Sequence, residues 1–191
     1  FIYTSDHGDM VGSQGEQRKQ KPWDESIRVP FVIRCPGQQK KGVTVNKPIN
    51  MVDHMPTLLS FSGIDIPESV EGRNVSGLFT GHEPDGDDVA LTMCIAPFGE
   101  YTGLPWRGVH TTRYTYTRRL DGPWLLFDNE TDPNQLHNLI DQPEYAPLQA
   151  ELESYLTRLL EERGDPFKPA QYYLDKWGFE VNEKGTIPYT N

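Results

Sequence analysis

Asp6 and His7 stand side by side where a short apolar run, Phe1-Ile2-Tyr3-Thr4, gives way to Ser5 and Gly8. A carboxylate next to an imidazole can offer two ligands to one metal ion. The carboxyl end of a strand is where open α/β sheets build their sites. The same dipeptide also fits a plain turn in which Asp6 caps a backbone N–H. Lys19 and Lys21 follow, just ahead of Trp23-Asp24-Glu25-Ser26. Lysines are usually solvated, but an ammonium held in a dry site stabilises an oxyanion. Asp53 and His54 open a helical pattern, where an acidic side chain complements the helix dipole and a structural role is the simpler reading. His82 and His137 read as surface residues.

These residues need elements to hold them. Residues 1–4 read as a strand and 8–25 as a long, polar, glycine-rich ordered loop. The continuous apolar run of 29–34 suits a strand covered on both faces of an α/β sheet. A basic connection covers 38–47. Residues 51–62 carry Met51, Met55, Leu58, Leu59 and Phe61 at helical spacing, with Asn50 as N-cap and Gly63 as the stop. Residues 68–80 read as a turn and a short helix, and 84–88 as an acidic turn. The pattern then changes: 89–93, 106–111, 114–118 and 124–127 are short strand candidates separated by turn residues, a small antiparallel sheet. Residues 144–163 form the strongest helix, with Leu148, Leu152, Tyr155, Leu156, Leu159 and Leu160 on one face. The tail beyond it shows no period and is expected to wrap irregularly over the surface. The expected organisation is an α/β portion over 1–88 and a smaller α+β subdomain over 89–191.

Composition narrows the function. Of 191 residues, 36% are hydrophobic and 11% aromatic, enough for a core. The net charge of −10 argues against nucleic acid or an anionic membrane as partner, since polyanions need clustered Lys and Arg. No apolar run is long enough to span a bilayer. Cys35 and Cys94 sit in no metal or redox pattern and are expected as ordinary thiols. Residue 1 is Phe and opens a strand already under way, so the chain is expected to be a fragment of a longer polypeptide.

The strings Thr4-Ser5-Asp6-His7-Gly8-Asp9-Met10-Val11-Gly12, Lys19 and Trp23-Asp24-Glu25-Ser26-Ile27-Arg28-Val29-Pro30-Phe31 resemble, in that order, the sulfatase family. So do Val52 to Leu59, Gly63-Ile64, Glu71-Gly72-Arg73-Asn74, Trp106-Arg107-Gly108-Val109, Arg113 to Tyr116, Leu126-Phe127-Asp128, and Thr131 to Leu139. The resemblance covers residues 1 to about 163. It implies the C-terminal part of an alkaline-phosphatase-like sandwich followed by the α+β subdomain.

It also implies hydrolysis of sulfate esters with one divalent cation, calcium first and manganese second. Asp6 and His7 take the place of two of its four ligands, and an upstream Asp-Asp pair supplies the others. Lys19, by its spacing from Trp23, takes the place of the catalytic sulfate-binding lysine. His110 lies on a strand that in this family approaches the substrate. The family's nucleophile, a formylglycine made within Cys/Ser-x-Pro-x-Arg, has no match here: Cys35 is followed by Pro36 and Gly37 without the arginine, and Asp87-Asp88 lies too late to be the ligand pair. Half the site is therefore expected from a missing N-terminal region, and this chain alone is expected to be inactive. His7 stands where many members have Asn, and its softer nitrogen relaxes strict calcium selectivity. A sulfated small molecule or carbohydrate is the substrate expected by analogy, and a periplasmic or secreted setting the location. Two other readings remain: a phosphodiesterase or phosphonate monoester hydrolase of the same superfamily, and a non-catalytic domain in which Asp6 and His7 only shape a turn.

Overall fold

The expected strands of the C-terminal half form one antiparallel meander. In the computed structural model, which describes residues 1–35, 42–81, 88–95 and 104–187, β3 (Val89–Cys94), β4 (Trp106–Thr111), β5 (Tyr114–Arg119) and β6 (Gly122–Asp128) pair in sequence order. Side chains alternate across a strand, so each residue's parity decides which layer it meets. One face receives Val89, Leu91, Val109, Tyr116 and Leu126. Against it lies α4 (Ala146–Glu162), which buries Leu152, Leu156 and Leu160 one turn apart. The other face presents Leu125 and Phe127, which pack with Met10 and Trp23 of the N-terminal loop. β6 reads as an unbroken apolar run because it is covered on both sides.

Arg107 is a charge on the α4 side, fully buried. Its guanidinium donates to Asp165, to the carbonyls of Cys94 and Trp106 and to the Tyr173 hydroxyl, and it lies 4.6 Å from the Phe167 ring centre. The tail is thereby pinned. It is not irregular throughout, as expected, but contains α5 (Ala170–Trp177), with Gly178 at φ 67 as its stop. The signal was short: Tyr173, Leu174 and Trp177 between Pro169 and Gly178, too few turns for a period to show.

In the N-terminal half, β1 (Ile2–Thr4) and β2 (Phe31–Ile33) form a two-stranded antiparallel ribbon. α1 (Asp24–Ile27) is a single turn entering β2. A 3-10 turn at Met51–Asp53 leads into α2 (His54–Phe61), and α3 (Gly77–Thr80) follows. Phe31 stacks on His54 at 4.6 Å and meets Phe79 at 5.9 Å, joining the ribbon to both helices. Among the described residues the expected cover on both faces of β2 is not provided: Tyr3 and Val32 are exposed. Asn50 is the N-cap, in a reciprocal capping box with Asp53.

The expected apolar face of α2 also differs. Met51, Met55 and Leu58 are exposed, whereas Asp53, Pro56 and Thr57 are buried. Hydrogen bonding decides this: Asp53 accepts from Arg73 N–H at 2.8 Å and Thr57 Oγ1 from Val75 N–H at 3.0 Å. Residues 72–75 therefore lie along the polar side. They come so close that a Cβ on Gly72 would fall 1.8 Å from Val52 O. Residues 36–41, His82 and the turn at 84–87 lie outside the described residues.

Candidate metal and anion site

β1 ends in a turn that fixes Asp6. The His7 N–H donates to Asp6 Oδ1 at 3.0 Å, and the Ser5 hydroxyl lies 3.2 Å from the same oxygen. That hydrogen bond from His7 holds the Asp6 carboxyl below the usual carboxylate range, so it is ionised at neutral pH. The turn reading and the ligand reading thus apply to different oxygens: Oδ1 caps, and Oδ2 is left over. Oδ2 lies 3.4 Å from His7 Nε2, with the Asp6 side chain 81% and the His7 side chain 40% exposed.

His7 Nδ1 is 2.8 Å from Gly8 O, and a carbonyl only accepts, so Nδ1 carries the proton in the neutral ring and Nε2 keeps its lone pair. Two donors 3.4 Å apart, each about 2.4 Å from a common hard cation, subtend about 90° at it, the cis angle of an octahedral sphere. The pair therefore fits two corners of a divalent site. No group of three or more acidic, His or Cys side chains is assembled for a metal among the described residues.

The turn is tied to α1. Gly8 N–H donates to Ser26 O at 2.9 Å, and a Cβ at Gly8 would sit 1.9 Å from Glu25 O, so only glycine allows the approach. From here the loop folds back on itself, Met10 N–H bonding Arg18 O and Gly12 N–H bonding Glu16 O. Val11, Gln14, Arg18 and Gln20 all have φ between 46° and 70°. That region is disfavoured for residues with a Cβ, most of all a β-branched one, and such strain gathers at functional segments.

The two lysines separate. Lys21 is buried, its ammonium 2.8 Å from Glu16 Oε2. Lys19 is exposed on the same loop. His110, the expected substrate contact, faces the loop from β4. Its Nε2 is 3.0 Å from Asp24 Oδ1 and its Nδ1 2.8 Å from Thr111 O. Both ring nitrogens thus lie within hydrogen-bond distance of protein oxygens. Burial pushes the Asp24 carboxyl up, but the hydrogen bond and charge of His110, with Arg28 beside them, outweigh it and hold Asp24 low. Gln135 joins the same group. Its Oε1 accepts from Asp24 N–H at 2.8 Å and its Nε2 donates to Asp24 Oδ1 at 3.0 Å. Sequence reasoning missed Gln135, and no local signal marks a residue 111 positions from its partner. Asp53, for which the sequence favours a structural role, is buried and bonded to Arg73 and Asn50.

Comparison with known proteins bears on this arrangement. The sequence pattern described as N-sulphoglucosamine sulphohydrolase, C-terminal, matches residues 12–162. An ulvan-active sulfatase of Formosa agariphila is 47% identical over 98% of this chain and 38% of its own length. A protein solved in complex with its substrate D-glucosamine-2-N,6-O-disulfate superposes with a TM-score of 0.73 at 26% identity, over 89% of this chain and 35% of that one. A phosphonate monoester hydrolase from Silicibacter pomeroyi gives 0.71 at 25% identity, over 96% of this chain and 37% of that one. This chain spans less than two-fifths of the length of the curated relatives it matches.

Proposed function

The chain belongs to the sulfatase family, with the alkaline-phosphatase-like fold, and from that membership we propose that the protein carrying it hydrolyses sulfate esters. In this reading Asp6 and His7 hold a divalent cation and Lys19 binds the sulfate. The observation that carries it is the Asp6–His7 pair, an ionised carboxylate oxygen and an imidazole lone pair 3.4 Å apart at a strand end. Calcium is the first candidate and manganese the second, because one nitrogen among oxygen donors suits either. A cation bound there would neutralise charge on the sulfate oxygens.

The chain's own residues do the rest. Lys21 is neutralised by Glu16, whereas Lys19 is exposed, which supports Lys19 as the sulfate-binding cation. The remaining metal ligands and the formylglycine nucleophile belong to a part of the protein outside these 191 residues. In support, no Cys/Ser-x-Pro-x-Arg occurs in this sequence and the relatives are far longer. In this reading His110 holds Asp24 from β4, at the edge where a substrate contact is expected of it. The substrate class we propose is a sulfated carbohydrate, supported by the ulvan-active relative and the relative solved with a disulfated glucosamine.

The test is sulfate release from sulfated saccharides by the complete protein, before and after chelation. Activity should disappear with chelator and return with calcium or manganese. Full activity in the metal-free protein would overturn the metal reading. A second reading, phosphonate monoester hydrolysis, is favoured by the Silicibacter pomeroyi enzyme's similar fold. A higher kcat/KM for a phenylphosphonate ester than for the matching sulfate ester would establish it instead.

A further inference from the structure

We infer that Gln135 is a positioning residue, through which the C-terminal sheet clamps the loop bearing Lys19 and the turn bearing Asp6 and His7. The inference rests on the reading of Asp6 and His7 as metal ligands. Gln135 is 2% exposed and sits in the turn after β6 at φ 53. Its amide reads Asp24 twice, accepting from the backbone N–H and donating to the carboxylate. The same Nε2 lies 2.9 Å from Asn129 Oδ1 and 3.2 Å from Thr115 Oγ1, anchoring it to β5 and the turn. One residue earlier, Asn134 O accepts from Gln14 Nε2 at 2.8 Å.

The turn therefore grips the loop at residues 14 and 24, and Lys19 lies between the two grips. From Asp24 the path is short: α1 carries Ser26, whose carbonyl receives Gly8 N–H next to His7. A buried amide using both its ends, in a backbone conformation disfavoured for glutamine, is costly unless the contacts it makes are needed. Leu125 and Phe127 supply adhesion between sheet and loop, but apolar contact sets no direction. The amide does.

Gln135→Met keeps length and removes the polar ends. Leu156→Ala, on the α4 face, lowers stability without touching the loop. Both are made in the complete protein and read by hydrogen exchange of residues 5–18 and by calcium titration. Gln135→Met should speed exchange of 5–18 by at least about tenfold and weaken calcium binding by about tenfold to a hundredfold, as for other residues that orient metal ligands. Leu156→Ala should do neither while Tm falls. Wild-type exchange of 5–18 in Gln135→Met, or the same local opening in Leu156→Ala, overturns the inference. Faster exchange with unchanged calcium affinity leaves the clamp standing and removes Asp6 and His7 as ligands. If Gln135→Met does not fold, Asp24→Ala removes from the loop side the carboxylate to which the amide donates and is read in the same way.

Discussion

His110 Nε2 lies 3.0 Å from Asp24 Oδ1, a bond between β4 and α1 across 86 residues of sequence. With the Gln135 contacts to Asp24, it ties the N-terminal loop, which carries the proposed ligand-binding residues, to the C-terminal sheet.

Asp6 and His7 should differ in their tolerance of change. Asp6→Ala removes a charged oxygen and should weaken metal binding in the complete protein by about a hundredfold or more, beyond the effect of outer residues. His7→Asn restores an oxygen donor and should lose far less, with a shift toward calcium over manganese. Titration calorimetry with both metals checks this, and equal, undiminished affinity in both variants would remove the pair as ligands.

The two lysines should separate by type of defect. Lys19→Ala should lower kcat/KM by about 100- to 1,000-fold, the usual loss for one charge contact to a developing oxyanion, with Tm unchanged. Lys21→Ala removes the partner of Glu16 and should lower Tm with a smaller kinetic effect. Steady-state kinetics and thermal melts on both variants decide it, and the reverse pattern would move the sulfate contact to Lys21.

Arg107→Met should destabilise by about 3–5 kcal/mol, as expected when one member of a buried ion pair is removed. Asp165 and the Tyr173 hydroxyl would lose their main donor, and α5 its anchor. Urea denaturation gives the magnitude. Limited proteolysis should cut near residues 164–178 first; resistance there would show that the tail is held by other contacts.

Acid should weaken the subdomain through Asp128. Its carboxyl takes two hydrogen bonds from Arg113, at 2.9 and 2.6 Å, and that pairing lowers its pKa from 3.8 to about 2. The folded value lies below the unfolded one, so this contribution is complete above about pH 4 and is lost as pH falls through 2. Melts from pH 5 to pH 2 should show Arg113→Met losing less Tm than the wild type over that interval. Parallel curves would show that other carboxylates govern the acid transition.

The sequence by itself determined the local elements and the local chemistry. The strands of the meander, the helix of 146–162 and the Asn50 cap follow from short-range alternation, helical spacing and a capping residue. Asp6 and His7 were legible because adjacent residues at a strand end are close in any fold. The tertiary structure decided what faces what. Met51, Met55 and Leu58 of the expected apolar stripe are exposed because Asp53 and Thr57 bind residues 73 and 75. Lys21 is withdrawn by Glu16, and His110 meets Asp24 of the N-terminal loop. Gln135 finds Asp24 only when the turn after β6 meets α1. Periodicity records which residues avoid water, but it carries no information about which distant hydrogen-bonding group will lie opposite, and these roles depend on that encounter.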